Sequence, residues 1–121
     1  MIKSIAIVDD ELDLANLFSE ALTMTGYEVY SFTDPVLAYE HIKKNVNNYT
    51  LLIVDYQMPK MNGLLLATKL LEINPTLKVI IMSCFNELEY IPNFKFIKKP
   101  ISILKFVRIV NETIFVSSFN L

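Results

Sequence analysis

Three short runs of apolar residues, each stopping at a polar side chain, constrain this chain more than any other feature. Ile5-Ala6-Ile7-Val8 stops at Asp9-Asp10, Leu51-Leu52-Ile53-Val54 at Asp55, and Val79-Ile80-Ile81-Met82 at Ser83. An extended run that is apolar on both faces has no wet side, so it reads as a central parallel strand covered by helices above and below. Glu28 to Phe32 and Phe94 to Lys98 read as weaker strands, the second ending just before Pro100. Helical patterns fill the intervals. Leu14, Leu17, Phe18, Ala21 and Leu22 form a stripe with a period of about 3.6, which Gly26 terminates. Asp34-Pro35 places an N-cap before a proline in the first turn of a helix toward Lys44. Gly63 to Ile73 forms a third helix, broken before Pro75, and Ser102 caps a last one through about Phe115. This alternation predicts an α/β chain with a doubly wound parallel sheet, whose ligands bind outside the carboxyl ends of its strands.

Composition narrows the function classes. A chain of 121 residues with a 53% apolar share suits one domain, spanning residues 1–121, with a core that needs no staple. The net charge of −2 supplies no basic face for tracking nucleic-acid phosphates, so no nucleic-acid partner is expected. Cys84 is the only cysteine, which excludes an intrachain disulfide and suggests a reducing compartment. Met1-Ile2-Lys3-Ser4 runs straight into a strand pattern without a leader. No apolar stretch reaches the roughly 18 residues of a membrane span, so a cytoplasmic protein is expected.

The chemistry lies in how the strands end. Asp9, Asp10, Asp55 and Ser83, with Lys98-Lys99 after the last strand, would gather at the one edge where such sheets bind ligands. Three carboxylates there repel one another, at about 4 kcal/mol per pair for a separation of about 4 Å and an effective dielectric near 20. A bound cation or a protonated member relieves this. Oxygen ligands without histidine or cysteine favour a hard ion, Mg²⁺ first. A carboxylate beside Mg²⁺ can act as the nucleophile in phosphoryl transfer, with metal and lysine neutralising the equatorial oxygens and a hydroxyl such as Ser83 donating to the product.

Over essentially its whole length the chain resembles the receiver domain of two-component response regulators. Val8-Asp9-Asp10-Glu11 resembles the family's acidic pair, and Asp55-Tyr56-Gln57-Met58-Pro59-Lys60-Met61-Asn62-Gly63 its phosphoacceptor loop. Ser83 stands at the switch hydroxyl, and Lys99-Pro100 resembles the lysine and cis-proline pair. The resemblance implies a five-stranded parallel sheet in the flavodoxin-like order 2-1-3-4-5. It implies that Mg²⁺ is held by Asp9 through water, by Asp10, by Asp55 and by the backbone carbonyl of Gln57. Asp55 would accept a phosphoryl group from a histidine kinase or phosphotransfer protein, Lys99 would bind it, and Ser83 and Phe96 would switch. Gln57 and Phe85 would flank the phosphate. Such a chain is not an enzyme beyond its own phosphorylation and dephosphorylation. With no output domain after Leu121, it would signal through a separate effector protein.

Structural readings stand beside these. Asp9 and Asp10 could cap the first helix, Asp55 could be a turn residue, Ser83 a structural hydroxyl and Phe96 a core aromatic. Lys98 reads as a solvated neighbour, His41 as a surface residue and Cys84 as a small apolar one. A degenerate receiver, acting as a phosphate-independent interaction module, is the rival function. An aspartyl phosphatase fits poorly, because the chain has no room for a cap. One departure stands out. Only Cys84 to Asn93 separate Ser83 from a strand starting at Phe94, whereas a parallel crossover usually takes about a dozen residues or more. The family's fourth helix is therefore expected to be shortened or absent, with Asn86 to Ile91 forming at most one or two turns or an irregular loop. The sheet near Val79, Ile81 and Phe96 would then lose its cover, which would favour a homodimer or a dedicated partner.

Overall fold

The computed structural model describes residues 4–84 and 94–116. Five strands, β1 (Ser4–Val8), β2 (Val29–Phe32), β3 (Tyr49–Asp55), β4 (Lys78–Ser83) and β5 (Lys95–Lys98), form one sheet. All pairings are parallel and the order is β2-β1-β3-β4-β5, as expected. Four α-helices are described: α1 (Leu12–Met24), α2 (Pro35–Lys44), α3 (Gly63–Ile73) and α4 (Ile103–Asn111), the last continuing as a π turn over Glu112–Val116. The expectations for Phe85 and for Asn86 to Ile91 lie outside the described residues.

The period of two sorts the strands onto two cores. Ile5, Ile7, Leu51, Ile53, Ile80 and Met82 face one side, with Phe18 and Leu22 of α1 and Phe106 and Val110 of α4. Ala6, Val8, Leu52, Val54, Val79 and Ile81 face the other, with Ala38 and Ile42 of α2 and Leu66 and Leu70 of α3. β1 and β3 are therefore buried on both faces, which is why their sequences show no polar alternation. The expected loss of cover over Val79 and Ile81 does not occur. Both are buried in the α2–α3 cluster beside Leu70 and Leu77, and only Phe96 is left half-buried.

Local signals set the helix ends. Gly26 follows the Thr25 C-cap of α1 at φ +108°, a left-handed turn that suits glycine. Asp34, Asn62 and Ser102 cap α2, α3 and α4 by accepting hydrogen bonds from Val36 N, Leu65 N and Lys105 N. These caps start α3 and α4 directly after the loops that carry the polar residues at the sheet's carboxyl edge. Among the described residues no helix is long and apolar enough to cross a membrane.

Candidate functional site

The polar residues that end the strands converge as the sequence predicts. β1, β3 and β4 are adjacent and in register, with Val8 opposite Val54 and Asp55 opposite Met82. Their last side chains therefore emerge together. One carboxylate oxygen each from Asp9, Asp10 and Asp55 lies within 4.8 Å of the others. Asp9, Asp55 and Ser83 are buried, and Asp10 is exposed.

Lys99 reaches this cluster from the far side. Its Nζ lies 2.9 Å from Asp55 Oδ1 and 3.1 Å from Asp9 Oδ2, so one ammonium bridges two buried carboxylates. The backbone holds it there. Lys99 N donates to Ser83 O at 2.8 Å, and the Lys99–Pro100 peptide is cis. Asp9 uses its other oxygen to accept from Glu11 N at 2.9 Å. The α1 N-cap is Glu11, with no side-chain cap. Asp9 thus braces the start of the helix and also serves the cluster, whereas the capping alternative for Asp10 finds no support.

The loop after Asp55 is tied on both sides. Tyr56 N donates to Met82 O and Gly63 N to Tyr56 O, each at 2.8 Å. A Cβ on Gly63 would collide with the backbone carbonyl of Asp55, so glycine is required for α3 to start this close to the cluster. At the loop's tip, Lys60 adopts φ +73° and its Nζ lies 2.8 Å from Asp34 Oδ2.

Burial, foremost, raises the Asp55 carboxyl to about 6. Lys99 pulls it back through a hydrogen bond and its charge, while Asp9 and Asp10 push it further up. For Lys99, burial works against the charge, but the hydrogen bonds and charges of Asp55 and then Asp9 outweigh it, and its pKa is raised. The result is a carboxyl pushed up to about 6 beside a lysine whose pKa is also raised.

A cavity of about 160 Å³ opens over Asp55, lined by Asp10, Glu11, Gln57, Ser83, Cys84 and Lys99. Three carboxylate oxygens with no imidazole form a hard, all-oxygen donor set, which fits a divalent ion such as Mg²⁺. Two lining residues were not singled out by sequence as site residues. Glu11 looked like the tail of a motif. Cys84, read as a small apolar residue, is exposed at the rim, and no apolar periodicity marks a residue just past a strand end. Lys98 and His41 are exposed, as expected. Phe96 is half-buried on β5 and packs against the α2–α3 core.

A family model described as the response regulator receiver domain matches residues 5–111. The response regulator receiver protein CpdR of Brucella abortus is 34% identical over 83 residues, 69% of this chain and 68% of CpdR. The putative two-component response regulator ARR21 of Arabidopsis thaliana is 34% identical over 80 residues, 66% of this chain but 13% of its own length. Some of the relatives that the chain matches are thus several times longer than the matched segment. Among solved structures, the receiver domain of the hybrid histidine kinase CckA superposes with a TM-score of 0.82 at 27% identity, covering 92% of this chain and 98% of that one.

Proposed function

The chain belongs to the response regulator receiver domain family, and from that premise we propose that it is a phosphorylation-dependent signalling switch whose acceptor is Asp55. The observation that carries this reading is the convergence of Asp9, Asp10 and Asp55 within 4.8 Å, with Lys99 bridging Asp9 and Asp55. Two buried carboxylates held by one lysine, with a third carboxylate exposed beside them, form a cluster of perturbed titratable groups of the kind that marks a functional site.

The phosphoryl donor is a phosphohistidine on a kinase or phosphotransfer protein. A carboxylate oxygen of Asp55 attacks phosphorus, the N–P bond breaks, an O–P bond forms, and the released imidazole takes up a proton. Lys99 is already within bonding distance of the Asp55 oxygen and would follow the incoming phosphoryl oxygens as a charge-neutralising donor. Ser83 ends the adjacent strand and lines the same cavity, where its hydroxyl would donate to the phosphoryl group. Asp9, Asp10, Asp55 and the Gln57 carbonyl would hold Mg²⁺, which supplies neutralisation of the charge on the transferring group. Movement of Ser83 toward the phosphate, followed by Phe96 on the neighbouring strand, would carry the signal to a separate effector. The only reactions the chain catalyses would be its own phosphorylation and dephosphorylation, in the cytoplasm.

Acetyl phosphate replaces the protein donor in the test. With Mg²⁺ the intact mass should rise by one phosphoryl group, and the rise should vanish with EDTA or in Asp55→Asn. Labelling that persists in the folded Asp55→Asn protein would refute the assignment. An unlabelled wild type that still binds its effector would favour the rival reading, a phosphate-independent interaction module.

A further inference from the structure

Lys60 stands at the tip of the loop that leaves Asp55. Among the described residues it is the one non-glycine residue in the left-handed backbone region, at φ +73°. A Cβ makes that region costly, so a residue holds it only where its surroundings fix it there. The two ends of the loop are tied by backbone bonds, Tyr56 N to Met82 O and Gly63 N to Tyr56 O. Its middle rests on the α2–α3 core through Met58 and Met61, flexible side chains that adapt to a backbone rather than aim it. Among the described residues, one directional bond joins that middle to another element: Lys60 Nζ to Asp34 Oδ2 at 2.8 Å.

Asp34 is itself fixed. As the N-cap of α2, its Oδ1 accepts from Val36 N at 2.9 Å and Leu37 N at 3.4 Å, which leaves Oδ2 for Lys60. The cap therefore sets where the ammonium must stand. The bond ties the first turn of α2 to the loop that carries Gln57, a residue lining the Asp55 cavity. An ion pair this exposed adds little to global stability. Its weight lies in direction: contacts behind a metal ligand set where that ligand points, and their loss is read in metal affinity.

We propose that Lys60 is a positioning residue: its bond to Asp34 holds the acceptor loop, and with it the Gln57 carbonyl, in place for Mg²⁺. This rests on the reading of Asp9, Asp10, Asp55 and the Gln57 carbonyl as the Mg²⁺ site.

Calorimetric titration of the full chain with Mg²⁺ tests it. Asparagine caps a helix as well as aspartate, so Asp34→Asn removes the ion pair and keeps the cap. Glycine fits φ +73°, so Lys60→Gly removes the bond without backbone strain. Asp34→Asn, Lys60→Gly and Lys60→Met should each weaken Mg²⁺ binding by roughly three- to tenfold, less than the loss of a contact to the ligand itself. Lys60→Arg should keep it. The direction is diagnostic. Removing the lysine charge would by Coulomb attraction alone strengthen cation binding, whereas removing the aspartate charge would weaken it, so a shared loss cannot be a long-range charge effect. Asp34→Asn combined with Lys60→Met should bind no more weakly than either alone, because both break the same bond. In acetyl-phosphate labelling, the Mg²⁺ concentration giving half-maximal rate should rise by the same factor, while the rate at saturating Mg²⁺ stays that of the wild type. Wild-type affinity in the lysine variants, additive losses in the double variant, or a slow rate that saturating Mg²⁺ does not restore would each overturn the inference while leaving the metal site standing. A wild type that binds no Mg²⁺ would overturn the metal site and this inference together.

Discussion

Removing the charge of Asp55 should make the metal-free protein more stable, and the gain should depend on pH in a defined way. Burial pushes the folded carboxyl up to about 6 from its ordinary value of 3.8, so the fold favours the protonated form. Stability from this group is fully present below the unfolded value and is lost as pH rises through about 6. At about 1.36 kcal/mol per pKa unit, holding Asp55 ionised at neutral pH costs at most about 3 kcal/mol. Asp55→Asn removes that cost but also weakens the bond to Lys99, which keeps its contact with Asp9 at 3.1 Å. The net gain at pH 7.5 should be about 1–3 kcal/mol, or roughly 3–5 °C in Tm per kcal/mol for a domain of this size. The assay is thermal or urea unfolding of both proteins in EDTA from pH 4.5 to 8. The stability difference should be small at the acid end and grow through pH 6. A difference that is flat with pH, or an Asp55→Asn protein less stable than wild type at pH 7.5, would refute the electrostatic reading.

The same geometry separates the neighbouring aspartates. Asp9 is buried and paired with Lys99 while Asp10 is exposed, so in EDTA Asp9→Asn should lose about 1–2 kcal/mol and Asp10→Asn should be neutral or slightly stabilising. Equal gains in unfolding midpoints would contradict this. Because Asp55 holds a proton below about 6, Mg²⁺ must displace it there. Calorimetric titration should show apparent affinity falling by roughly tenfold from pH 7.5 to 5, and constant affinity would remove Asp55 from the ligand set. Gly63→Ala should cost about 1–3 kcal/mol in a urea melt and slow acetyl-phosphate labelling, because the new methyl meets the Asp55 carbonyl. A variant with wild-type midpoint and labelling rate would show that the loop yields freely.

The strand ends were legible because a strand buried on both faces must be apolar throughout, so the first polar residue marks where it leaves the sheet. Asp9, Asp55 and Ser83 could be read this way, and their adjacency followed from the sheet order. The double role of Lys99 was not legible. Its bond to Asp9 spans 90 positions, and the sequence suggests a cluster of repelling carboxylates where the fold neutralises two of them with one ammonium. The packing of Gly63 on Asp55 O was equally hidden, since it depends on how closely α3 approaches β3. The expected bare patch at Val79 and Ile81 failed for a related reason. Counting crossover residues shows how much chain is available, but not that Val79 and Ile81 are buried in one cluster with Leu70 and Leu77.

The most direct test of the central assignment traps the acyl phosphate chemically. Borohydride reduces an aspartyl phosphate to homoserine, which tandem mass spectrometry can place in the sequence. After exposure to acetyl phosphate and Mg²⁺, homoserine should stand in place of Asp55 and nowhere else, and EDTA should abolish it. Homoserine at Asp9, Asp10 or another carboxylate, or none at all in a folded, Mg²⁺-binding protein, would contradict the account.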